Sequence, residues 1–256
     1  MGLSDKSRFL SGLDEPEKTL FAKLYDRAVR SERFGGASFG DFLSMDELAQ
    51  FRERSRYLPD CEAAEFGGYG DAERKMIGFN AEEGDFPITA LKISGKRLDG
   101  LTHRDYLGAL MALGLDRHKL GDIVVSSEGA VVFAADDISE YIVNTLGEVG
   151  RSVVQISAAD PDSLDLGSRE FKEIKGTVAS PRLDSLVSLM VGKGRSAASD
   201  LIRMGRVYVG GSPTQRTDMK ISDGDAITVR GFGKAVVEIG GLSKKERIFV
   251  TLKKYA

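Results

Sequence analysis

Tryptophan is absent from this 256-residue chain, cysteine occurs once, as Cys61, and histidine twice, as His103 and His118. A lone cysteine excludes an internal disulfide framework and a thiolate zinc cluster, and makes a reducing cytoplasm the expected setting. Two histidines on one short segment give no paired His/carboxylate metal spacing. No apolar run approaches the roughly 20 residues that span a bilayer, and no signal-peptide core opens the chain, so no membrane partner is expected. Met1-Gly2 lacks the Ser or Thr that myristoylation requires, because position 6 is Lys6. No metal, no cofactor and no catalytic residue is expected.

What the chain does have is charge, unevenly spread. With 41% hydrophobic residues it can bury two or three cores, and its formal net charge is only −3. Residues 177–256, however, hold 14 Lys+Arg against 7 Asp+Glu, a net of +7, while the remaining 22 basic and 32 acidic residues leave −10. A basic module attached to an acidic body points to an anionic partner for the basic end.

Within that module, Pro181 to Gly211 reads as two short helices feeding a strand. Ser180 is an N-cap candidate with Pro181 at the first helical position. Leu183, Leu186, Val187, Met190 and Val191 then fall on one stripe at helical period. After Gly192-Lys193-Gly194, a second helix runs from Arg195 or Ser196 to Met204, with Gly205 suited to a left-handed cap. At about 100° per residue, Arg195, Ser199 and Arg203 share an arc of roughly 80°, and Ala198, Leu201 and Ile202 lie mostly opposite. One face packs and the other is cationic. Val207-Tyr208-Val209 alternates as a strand and Gly210-Gly211 turns it.

Residues 1–82 read as mainly helical, with Glu15–Arg33 capped by Asp14 and a second helix over Phe39–Leu58. Phe66-Gly67-Gly68-Tyr69-Gly70 is either a tight turn or a backbone approach to phosphate assisted by Arg74 and Lys75. Residues 83–160 give strand, helix, hairpin, helix and strand, the βαββαβ order of ferredoxin-like and RNA-recognition modules. The strand Glu128–Phe133 lacks the aromatic set on which such modules stack bases. Thr102 and Asp105 give a near capping box whose helix N-terminus could hold a phosphate, and His103 and Arg104 beside it are either solvated or RNA contacts. Residues 161–178 read as a linker and 179–256 as the basic module, making the chain α+β.

Arg182-Leu183-Asp184, Arg195-Ser196, Ala198, Leu201-Ile202, Gly205, Val207, Val209 and Gly211, followed by Ile221-Ser222-Asp223-Gly224-Asp225, resemble the S4 RNA-binding domain. The pattern departs at Asp200, where the family often has Lys or Arg, and at Gly210, where Asn usually stands. With Phe66–Tyr69, Ala72–Lys75, Leu101–Ile123 and Gly224–Lys234 added, the whole chain resembles the YlmH-type S4-domain proteins, whose cyanobacterial and plastid relatives carry a photosystem-II S4 label. The resemblance implies a non-catalytic protein that binds structured RNA, 23S rRNA and/or tRNA, on the large ribosomal subunit, in quality control of stalled peptidyl-tRNA; a monomer is expected. It places RNA contacts at Arg182, Arg195, Ser196 and Arg203, with Lys193, Arg206, Lys220, Arg230 and Lys234 as further candidates. A second contact is expected at Arg74, Lys75, His103 and Arg104, and Lys244, Lys245 and Arg247 read as a basic turn protecting a sheet edge. The competing readings are an RNA-modifying enzyme of pseudouridine-synthase or methyltransferase type and a cell-division adaptor. Gly192-Lys193-Gly194 follows a helix rather than a strand, the wrong context for a methyltransferase loop.

Overall fold

The computed structural model describes residues 5–160, 171–243 and 246–255. The chain divides into two compact units, Met1–Leu166 and Gly167–Ala256.

The first unit begins with α1 (Asp5–Phe9) and α2 (Glu15–Phe34). The Asp14 carboxylate accepts from the Glu17 amide at 3.0 Å while Glu17 accepts from the Asp14 amide at 3.3 Å, so two otherwise unpaired donors are satisfied. Gly35, at φ 69°, ends the helix, and Leu20, Phe21, Leu24 and Ala28 face the core. The single helix expected over Phe39–Leu58 is instead strand β1 (Ser38–Leu43) followed by α3 (Met45–Arg54). A second capping box, Ser44 with Glu47, starts α3 there. Gly40 lies so close to α2 that an added Cβ would sit 2.3 Å from Leu24 Cδ2. With β2 (Ala63–Phe66) and β3 (Lys75–Phe79), β1 forms an antiparallel sheet in the order β1-β3-β2, so residues 1–82 are mixed rather than mainly helical.

The βαββαβ expectation holds in the rest of this unit. Strand β4 (Ile88–Gly95), helix α4 (His103–Ala112), the hairpin β5 (Leu120–Ser126) and β6 (Gly129–Ala135), helix α5 (Asp136–Thr145) and β8 (Ser152–Ala159) are joined by a short β7 (Glu148–Val149). The order β5-β6-β4-β8-β7, all antiparallel, is the ferredoxin-like arrangement with one extra edge strand. Both helices cover one face, burying Leu91, Ile93, Tyr106, Leu110, Val132 and Ile142.

The opposite face is not left to solvent. Phe133, fully buried, is stacked by the Tyr69 ring at 4.9 Å, and Phe42, Met76, Phe86 and Ala135 form one shared core. The expected boundary at 82/83 therefore cuts through a continuous hydrophobic contact. The glycine-rich turn makes the approach possible: a Cβ on Gly67 would lie 2.3 Å from Ala72 Cβ, and one on Gly68, at φ +92°, would strike Phe133 at 2.3 Å. Asp122 on β5 then locks the turn, accepting from the Tyr69 hydroxyl (2.8 Å) and from the Glu73 and Arg74 amides (2.7 and 3.0 Å).

In the second unit, β9 (Phe171–Val178), helices α6 (Leu183–Val191) and α7 (Arg195–Arg203), and strands β10 (Val207–Val209), β11 (Ser212–Pro213), β12 (Ala226–Val229), β13 (Gly233–Leu242) and β14 (Ile248–Tyr255) build a sheet in the order β11-β10-β12-β13-β14-β9. The helices bury Leu183, Leu186, Val187, Met190, Ala198 and Ile202 against Val207, Val229, Val237 and Leu252. Three corrections apply. The expected linker 161–178 ends in β9, which pairs with β14 along its length; residues 161–170 lie outside the described residues. Helix α6 starts at Leu183, not Pro181, because the Pro181 carbonyl accepts from the Ile221 amide (2.9 Å) and Arg182 bridges Lys220 in extended backbone. Arg247 donates to the Thr177 hydroxyl (3.1 Å) and carbonyl (2.6 Å), fastening β9 rather than guarding an edge; Lys244 and Lys245 fall outside the described residues. At the β10–β11 turn Gly210 and Gly211 both have positive φ, 58° and 79°, a conformation that Asn also tolerates, so the departure at Gly210 preserves the turn.

One polar contact ties α3 to the ferredoxin-like part. His118 Nε2 lies 2.9 Å from Glu47 Oε1, and His118 Nδ1 lies 3.1 Å from Asp116. Burial alone would raise the Glu47 carboxyl, but hydrogen bonds from His118 and Ser44 hold it at about 2. The Glu47 hydrogen bond raises His118, outweighing its partial burial. A lowered carboxylate stabilises the fold above its unfolded value of about 4.3 and loses this as pH falls toward 2; a raised imidazole stabilises below about 6.5 and loses this as pH rises through its folded value. Glu47→Gln is therefore expected to lower the melting temperature by several degrees near pH 5–6 and by less at pH 9, measured by thermal denaturation across pH; an equal loss at both would show that the pair does not titrate as described.

Candidate nucleic-acid interface

The basic end of the chain is organised by a buried acid. Asp184, 5% exposed, stands in the first turn of α6 and receives Arg195 Nη2 at 2.7 Å and Arg182 Nη2 and Nε at 3.2 and 3.3 Å. The Asp184 amide is spent on the Thr217 carbonyl and the Leu183 amide on Met219, so the start of α6 is satisfied by a loop backbone. Burial works against the Asp184 charge, but the two guanidinium groups overcome it and hold the carboxyl below its usual range. Both arginines remain accessible, with side-chain exposures of 40% and 60%. Their pairing fixes two long, flexible cations in place while leaving donors facing solvent.

Around this pair the other expected residues fall into separate groups. Lys220 joins it through the backbone bridge to Arg182, and Ser196 is exposed in the first turn of α7, whose N-cap, Gly194, offers no side chain. Arg203 is exposed and has Asp200 at 3.6 Å, so the acid that departs from the family pattern does reach an arginine, in a solvated pair of small energetic weight. Lys193 lies 5.6 Å from the centre of the Phe232 ring. Arg206 and Arg230 are linked, the Arg206 guanidinium donating to the Arg230 carbonyl at 3.2 Å and the Arg230 amide to the Arg206 carbonyl at 2.9 Å. Arg230 is exposed and Lys234 half-buried, at the two ends of the β12–β13 turn.

The expected second contact changes more. Arg74 is turned inward, donating to the backbone carbonyls of Leu120 (3.0 Å), Phe42 (3.2 Å) and Arg117 (3.4 Å). It is a brace between β1 and β5, not a surface cation. Lys75 is half-buried at the first position of β3, whereas His103 and Arg104 are exposed on the first turn of α4. Partial desolvation and the nearby Arg117 push the His103 imidazole down, which favours its neutral form. The helix start that could have held a phosphate already carries Asp105, whose carboxylate accepts from the Thr102 amide and hydroxyl at 2.7 Å each.

Among the described residues, no three His, Cys, Asp or Glu side chains are grouped to hold a metal ion, and no helix is long and apolar enough to cross a membrane. The Cys61 thiol is pushed up by burial and by Glu32 and Asp60, away from the thiolate that nucleophilic chemistry needs. The sequence pattern includes Asp184 and, within Leu101–Ile123, Asp122, but assigns neither a role. An acid two residues past Arg182 and inside the first turn is the available signal for the former; Asp122 has no local signal, since its partners lie 48 to 53 residues away.

Residues 81–162 match the family described as "Putative RNA-binding domain in YlmH", which is the ferredoxin-like part of the first unit. The chain is 30% identical over 202 residues to the ribosome-associated protein quality control protein P2 of Bacillus subtilis (strain 168), covering 76% of this chain and 79% of that protein. Among solved structures, the cell division protein ylmH from Streptococcus pneumoniae aligns with a TM-score of 0.47 at 18% identity, covering 58% of this chain and 94% of that one. The length and identity of the Bacillus match, together with the matched domain, establish that the chain belongs to the YlmH-type family.

Proposed function

We propose that this chain is a non-catalytic RNA-binding protein whose C-terminal, S4-like unit grips structured RNA of the large ribosomal subunit, rRNA or tRNA, in the quality control of stalled peptidyl-tRNA. The observation that carries this reading is Arg182 and Arg195 held by one buried carboxylate at the start of two adjacent helices. Structured RNA is read through phosphates, shape and 2′-hydroxyls, which calls for positioned cations more than base-reading groups. The +7 charge of residues 177–256 supplies the attraction, and the name of the Bacillus relative supplies the setting. A binding role rather than catalysis is supported by how the reactive groups are used. His118 is held between Glu47 and Asp116, and Cys61 is kept protonated.

Replacing Arg195 and Arg203 together by Glu is expected to weaken co-sedimentation with large ribosomal subunits at least tenfold and to reduce the slope of log K against log salt by about two, one for each phosphate no longer neutralised. Unchanged co-sedimentation would sink the site assignment. Asp184→Asn separates position from charge: it makes the unit more positive, so a purely electrostatic surface would bind RNA tighter. With the two arginines released, weaker binding is expected in filter-binding titrations despite the added charge, and tighter binding would refute the positioning role. Incubation of the purified protein with rRNA and tRNA is expected to leave every nucleoside unmodified by mass spectrometry, and a modified base would replace this reading with an enzymatic one.

A further inference from the structure

Helix α2 carries a second pattern on the flank of its buried face. Lys23, Arg27, Arg30 and Phe34 fall at i, i+4, i+7 and i+11, which at about 100° per residue confines them to an arc of roughly 60° along some 16 Å of helix. All four are exposed, and Phe34, at 74%, is the most exposed large hydrophobic residue among those described. The three cations line an open groove of about 430 Å³ whose floor includes Phe39 and Gly40.

The three cations of that groove outnumber its two acids. Its two acids are already committed, Asp26 to Lys6 at 2.5 Å and Asp41 to Lys119 at 3.0 Å. None of Lys23, Arg27 and Arg30 makes an ion pair at contact distance among the described residues, and Lys23 acts at longer range on Asp116, whose carboxyl it helps to hold down. A bare cationic row is unexpected on the acidic part of the chain, where a solvated face would more readily alternate in sign. The row ends on a bare aromatic ring, with the Arg33 guanidinium 5.8 Å from its centre. An exposed phenylalanine contributes little to the core of its own unit, and it offers a flat surface on which an unpaired base can stack.

We propose that the Lys23–Arg27–Arg30–Phe34 stripe is a second nucleic-acid-binding surface that takes an unpaired stretch of RNA, the cations following successive phosphates and Phe34 stacking a base. Cations in line with an aromatic platform are the means by which single strands are bound without sequence preference, whereas duplex RNA hides its bases and would leave Phe34 idle. The stripe uses none of the C-terminal arginines, so it stands or falls apart from them.

The test uses the full-length protein, a fluorescent eight-nucleotide RNA as single strand and as duplex, and anisotropy titrations at several salt concentrations, each repeated in the Arg195→Glu/Arg203→Glu background. Arg27→Gln/Arg30→Gln is expected to weaken single-strand binding at least tenfold in both backgrounds and to lower the salt slope by about 1.4, at 0.7 per phosphate. Phe34→Ala is expected to weaken the single strand at least about fivefold while leaving its salt slope and duplex binding unchanged. The altered side chains are exposed, so melting temperatures should stay within a few degrees of wild type. The proposal is overturned if wild type does not bind the single strand, if both α2 variants bind it as wild type does, or if Phe34→Ala is neutral and polyglutamate competes as well as RNA. The last result would make the stripe a docking face for acidic protein.

Discussion

A β-sheet has two faces, and the way this chain covers the second face of its central sheet governs most of what the first unit can do. Helices α4 and α5 take one side; Tyr69, Phe42 and the glycine turn take the other, closing over Phe133. Had that face stayed open, Phe133 would have been a solitary stacking platform of the kind RNA-recognition modules use. Closed, it is core, and residues 1–82 become inseparable from the domain they precede. Asp122 is the polar counterpart of this apolar closure, since a turn pressed onto a sheet needs its amides satisfied.

The acidic character of the body also acquires a structural meaning. Asp14, Glu17, Ser44 with Glu47, and Asp105 all work at helix starts, where backbone amides and the helix dipole favour negative charge. Asp122 and Asp184 hold loops and arginines from inside. Net charge is thus a poor guide to surface potential here: many acids point at the protein's own amides, while Lys23, Arg27 and Arg30 point at water.

Periodicity made the ferredoxin-like order and the two C-terminal helices legible, because each of those elements buries a regular apolar stripe. Strand Ala226–Val229 alternates in the same way, with Ile227 and Val229 buried. Legibility failed where a distant partner decided the outcome. Ser38–Leu43 is a strand because β3 pairs with it, and Phe171–Val178 is a strand because β14 does, although neither segment alternates cleanly. Pro181 looked like a helix start until the loop at 217–221 claimed its carbonyl and the following amides. Arg74 looked like a surface cation because three carbonyls brought close by folding cannot be seen from its neighbours in sequence. Among the candidate site residues, Arg182 and Arg195 were identifiable by type, and the carboxylate that aims them was not.

The pairing of β9 with β14 sets an order of events for the C-terminal unit. The strand at its beginning in sequence hydrogen-bonds with the strand at its end, from Phe171↔Tyr255 to Val178↔Ile248. During synthesis β9 emerges with no neighbour, and the sheet gains that edge only after β14 has left the exit tunnel. Closure over such a separation is slow compared with helix formation. Helices α6 and α7 can therefore form early, but the sheet they rest on is completed last.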